Sequence, residues 1–128
     1  MIRNGNDLPV CSDGQRLTLL RPVSISMMWG QTQVARRLNA DFSWDGASIP
    51  RWSRWIFGHP LSPEYRWASL WHDIGCNEAT CIEDRTIADA VFLRLLREAG
   101  VGKYRRLAMW SAVRVYGIWV WRCRHGAG

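Results

Sequence analysis

Apolar positions recur at two different periods along this chain. In the N-terminal third they favour strands. Arg16-Leu17-Thr18-Leu19-Leu20 and Val23-Ser24-Ile25-Ser26-Met27 read as strands, the second with a two-residue alternation that puts one side of a strand into a core. Trp29-Gly30-Gln31 marks a turn, and Thr32 to Leu38 follows as the return strand of a hairpin. Residues 1–15 are polar and turn-rich. The stretch from Asp41 to Pro60 is loop-like at both ends. Inside it, Asp45-Gly46 signals a turn, and Ser48-Ile49-Pro50 opens a short helix through Phe57 that Gly58 ends.

From residue 62 the period becomes helical. Ser62-Pro63 supplies an N-cap and a first-turn proline, and the pattern predicts a helix from about Pro63 to Ile74 with Gly75 near its end. At about 100° per residue, Trp67, Leu70, Trp71 and Ile74 share a broad apolar face. Ala68, Ser69, His72 and Gly75 lie on the opposite face, where small residues let a second backbone approach, and Asp73 sits at its margin. A further helix is expected from Asp84 or Arg85 to Ala99, stopped by Gly100, with Asp89 at the edge of its apolar stripe, where core meets solvent. The last helix is expected from Lys103 to Arg122. It is apolar nearly all round, which points to burial or to a face used on a partner or membrane surface. The tail beyond it reads as disordered.

The fold class this implies is α+β: an N-terminal β-hairpin or small sheet, a loop with a short helix, then three helices. No repeat or linker divides the chain, so residues 1–128 read as one domain. Its parts are a β-rich stretch (1–40), a loop and short helix (41–62) and a helical part (63–124).

Composition adds three things. Lys and Arg outnumber Asp and Glu by 17 to 11, giving +6. That suits an anionic partner such as a lipid or membrane surface. No zinc finger, Walker loop or dinucleotide fingerprint is present, so nucleic acid is not the expected partner. The N-terminus lacks an apolar signal core, so synthesis in the cytoplasm without a signal peptide is expected. The four cysteines, Cys11, Cys76, Cys81 and Cys123, are too unevenly placed for a disulfide framework; Cys76 and Cys81 could form a local bridge or share a metal, but all read first as buried or free thiols. Trp52, Trp55, Trp67 and Trp71 recur at helical spacing and read as core.

The chemistry lies in four residues. His72 and Asp73 stand together in a run that is otherwise apolar or small, where such groups need partners. Adjacent on a helix, they point about 100° apart, which suggests divided roles: Asp73 holds a cation while His72 works beside it. Asp45, in a glycine-containing turn, offers a second carboxylate. Carboxylates with backbone carbonyls are hard oxygen ligands and suit calcium rather than zinc. Asp89 is placed to accept a hydrogen bond from the far ring nitrogen of His72, which orients the imidazole as a general base.

Asp45-Gly46-Ala47-Ser48-Ile49-Pro50-Arg51, Gly58-x-Pro60, Ala68-x-x-x-His72-Asp73 and Ala88-Asp89-x-x-Phe92 together resemble a family of short phage and prophage proteins catalogued as a domain of unknown function. The likeness runs from about residue 38 to about 118. His72-Asp73 followed by Ala88-Asp89-x-x-Phe92 is also similar to the core pattern of phospholipase A2 enzymes. That resemblance implies two antiparallel helices, with His72 as the base, Asp73 and Asp45 as calcium ligands, and Asp89 supporting the histidine. Cys76 stands where those enzymes commonly carry a tyrosine. Three functions are therefore expected to compete. They are a calcium-dependent lipid esterase, a non-enzymatic protein that associates with a phage virion or a host protein, and a cell-wall hydrolase that would use zinc.

Overall fold

The computed structural model describes residues 2–14, 16–44 and 63–125. Its architecture is α+β, with small antiparallel sheets followed by three helices. Strands β1 (Val10–Ser12), β2 (Leu17–Leu19) and β5 (Ser43–Trp44) form one sheet in the order β1-β2-β5. Strands β3 (Val23–Trp29) and β4 (Thr32–Leu38) form a hairpin in which Trp29 pairs with Thr32 and Val23 with Leu38. The two-residue loop between them begins with Gly30 at φ 63°, a conformation glycine adopts without steric cost. Ile2 bridges Ile25 on the other side of β3. Strand β5 lies in the region the sequence presents as loop. It is two residues long, and its pairing of Trp44 with Leu17 is a contact between distant segments that no local pattern reveals.

Helix α1 runs over Pro63–Glu78, α2 over Ile82–Glu98 and α3 over Lys103–His125. Proline opens α1 as expected. Gly75, however, does not end it: the helix continues to Glu78. The glycine faces α2, where a Cβ would sit 2.8 Å from the Ala88 Cβ. The residue serves close packing between helices at a cost of roughly 1 kcal/mol in helix propensity. The expected stop at Gly100 does hold. Its φ is 87°, and Gly100 N–H and Val101 N–H donate to the carbonyls of Arg97 and Leu96. This pattern satisfies the last carbonyls of a helix. The described part of α3 extends to His125, past the expected Arg122.

One core joins the layers. Leu17, Leu19, Ile25 and Trp44 from the strands meet Tyr65, Leu70 and Trp71 of α1, Phe92 and Leu96 of α2, and Met109 and Val113 of α3. Trp67 and Trp71 pack edge to face, while Trp52 and Trp55 lie outside the described residues. Trp44 donates its indole N–H to the Ser69 hydroxyl at 3.0 Å, and that hydroxyl donates to the Arg66 carbonyl. Arg36 of β4 grips Glu78 at the end of α1 through both Nε and a terminal nitrogen. No helix among the described residues is long and apolar enough to cross a membrane.

Candidate functional site

The small-residue face of α1 receives α2. His72 lies near Asp89 and Phe92, whereas Gly75, further along α1, lies near Ala88. Moving forward on one helix is moving backward on the other, so the two run antiparallel. The close Gly75–Ala88 approach brings the flanking side chains within bonding range.

His72 Nε2 stands 2.6 Å from Asp89 Oδ1. A carboxylate accepts, so in the tautomer with Nε2–H as the donor Nδ1 carries the ring's lone pair. The ring of Phe92 packs 4.9 Å from the imidazole and limits its rotation. The histidine side chain is 12% exposed, and that of Asp89 not at all.

The position of Asp89 corrects the expectation from the helical wheel. It is not at the margin of core and solvent but fully buried. The wheel describes α2 alone, and α3 covers the edge that the wheel leaves open. Arg114 of α3 donates to Asp89 Oδ2 at 3.1 Å and, through the same terminal nitrogen, to the Thr86 hydroxyl. Arg85, one turn earlier on α2, places Nε 3.5 Å from Asp89 Oδ1. Two guanidiniums beside one carboxylate offset much of the cost of burying it. Space for Arg85 comes from Gly117, where a Cβ would lie 2.9 Å from the Arg85 Nε.

Sequence reasoning missed Arg114 as part of this site. The signal was available: an arginine amid the apolar residues of Leu107 to Trp121 needs a buried partner for the same reason that an aspartate in Ile87 to Phe92 does. The role of Cys76 was also missed. It follows His72 by one helical turn, and its Sγ lies 3.6 Å from Nε2 and 3.9 Å from Nδ1. Burial pushes its thiol up to about 11.

Asp73 is half-buried on the adjacent face of α1, with the Asn77 amide 3.4 Å from one oxygen. Asp45 lies outside the described residues, as does His59. Calcium takes about six to eight oxygen ligands. Among the described residues, His72, Cys76 and Asp89 form a cluster of ligand-type groups. Its donors are nitrogen, sulfur and oxygen, a set that does not suit calcium.

Residues 20–113 match the model of a family described as a protein of unknown function, DUF1353. The chain belongs to this family. The match takes in β3, β4, β5, α1 and α2 and reaches into α3 as far as Val113. It includes His72, Cys76 and Asp89 and stops one residue short of Arg114. No curated protein and no solved structure matches the chain.

Proposed function

We propose that this is a phage-type protein whose His72–Asp89 pair forms a hydrolytic site of phospholipase A2 type, acting on lipid esters. The observation that carries the reading is the 2.6 Å contact between Nε2 and a buried carboxylate, which leaves Nδ1 as the proton-accepting atom. His72 takes a proton from water through Nδ1 as that water attacks the ester carbonyl. Asp89 stabilises the imidazolium that results. The proton then passes to the departing alcohol oxygen, and acid and alcohol are released. Arg114, Arg85 and Phe92 hold the pair in place.

Asp73 and Asp45 are the carboxylates proposed for calcium, and every step above belongs to His72 and Asp89. The net charge of +6 favours an anionic lipid surface as substrate.

The test is fatty-acid release from anionic phospholipid vesicles, with calcium or with a chelator. Release that requires calcium supports the proposal, and no release from any phospholipid with calcium present rules out the catalytic reading. A second reading is favoured by the complete burial of Asp89 between two guanidiniums. In it the network is an internal brace in a non-enzymatic phage protein that docks on a virion or host protein. His72→Ala then changes stability and leaves no catalytic phenotype.

A further inference from the structure

We propose that His72, Cys76 and Asp89 form a binding site for a zinc-class transition metal. The three ligand atoms lie within 4.8 Å of one another and come from two packed helices. The site is distinct from the carboxylates proposed for calcium, and binding there does not rest on the hydrolase reading.

The geometry is close to what such an ion needs. With bonds of about 2.0 Å to nitrogen and about 2.3 Å to sulfur, a tetrahedral zinc holds these two atoms about 3.5 Å apart. Nε2 and the Cys76 Sγ are 3.6 Å apart. Their separation of one helical turn directs both at the same point beside α1. Nε2 and Asp89 Oδ1, at 2.6 Å, are bridged by a proton, and zinc in its place would part them to about 3.3 Å.

The proton balance is simple. As a ligand, His72 binds through Nε2 and carries its ring proton on Nδ1, the Cys76 thiol releases one proton to solvent, and Asp89 presents Oδ1. Arg114 remains on Oδ2. Arg114 and Arg85 oppose the charge of the ion, and the thiolate and carboxylate supply two negative charges against it. The fourth position stays open to water or an anion. Thiolate and imidazole select zinc-class ions over calcium. Since the ion occupies Nε2, zinc and the hydrogen bond to Asp89 exclude each other.

The test uses the full chain, stripped with chelator and kept reduced, with zinc chloride as the probe. After dialysis, one zinc should remain per chain, and an excess of calcium should not displace it. Cys76→Ser should weaken binding by at least about tenfold, the loss that even an outer-shell change causes, while Cys81→Ser binds as the wild type does. Cobalt(II) in the wild-type chain should give a near-ultraviolet thiolate-to-metal band, a readout that does not depend on any variant folding. Failure to retain zinc, equal retention by Cys76→Ser, or absence of the cobalt band overturns the proposal. None of these readouts involves ester hydrolysis, so failure of the metal site and failure of the esterase are told apart.

Discussion

Gly75 and Ala88 set the distance between α1 and α2. A Cβ on the glycine would meet the alanine Cβ at 2.8 Å, closer than real side chains approach. The reach from His72 to Asp89 depends on that closeness. Gly75→Ala should therefore destabilise the fold by roughly 1–3 kcal/mol, as overpacking does, despite a gain of about 1 kcal/mol in helix propensity. Pairing it with Ala88→Gly should restore part of the loss. Denaturant unfolding of both single variants and the double variant measures this, and a strictly additive double variant would contradict the contact.

Asp89 separates catalysis from stability through the choice of substitution. Asp89→Ala leaves Arg114 and Arg85 beside an empty volume and should cost about 3–5 kcal/mol, as breaking a buried ion pair does. Asp89→Asn also removes the charge, but it keeps the shape and an acceptor for Arg114, so it should cost less stability than Asp89→Ala. It removes the negative charge that stabilises the imidazolium and, with its amide oxygen facing Arg114, turns an N–H donor toward His72 Nε2, so ester hydrolysis should fall by about 10²–10⁴. Thermal unfolding monitored by circular dichroism, together with initial rates, distinguishes the two effects.

Much of this arrangement is legible in the sequence. The alternation in Val23 to Met27 gives β3, and glycine after Trp29 gives the turn. His72 and Asp89 each stand out as costly residues in apolar surroundings, and the structure brings them together. Three features were hidden because they arise from contacts between elements. Gly75 looks like a helix stop until α2 is seen against it. The burial of Asp89 follows from α3, which a wheel of α2 does not contain. The pairing of Ser43–Trp44 with β2 joins segments some 25 residues apart. Asp45, on which the calcium assignment leans, lies outside the described residues.

The Arg36–Glu78 pair joins the hairpin to the end of α1 and predicts a dependence on acid. Hydrogen bonding to Arg36 holds the Glu78 carboxyl below its ordinary 4.5. A depressed folded value means that the pair stabilises above pH 4.5 and that this contribution is lost as the pH falls below it. Both side chains are more than 40% exposed, so the contribution is about 0.2–1 kcal/mol and shrinks in salt. Arg36→Ala should be less stable than the wild type at pH 7, and the gap should narrow as the pH falls below 4.5, as read by urea midpoints.

Cys76 should be a poor nucleophile. Burial raises its thiol from an ordinary 9.0 to about 11, so the thiolate forms only as the pH climbs toward that value. Iodoacetamide at pH 8 should label the exposed Cys11 well before Cys76, as mapped by peptide mass spectrometry. The raised value also means that stability contributed by the neutral thiol is full below pH 9 and declines as the pH rises through 11. Equal labelling of the two cysteines would contradict the packing around His72.

The most direct measurement is the rate of fatty-acid release from anionic phospholipid vesicles in calcium, compared between the wild-type chain and a folded His72→Ala variant. A hydrolytic His72–Asp89 pair predicts measurable release by the wild type and a loss of about 10²-fold or more in the variant. No release by the wild type, or equal release by both, would contradict it.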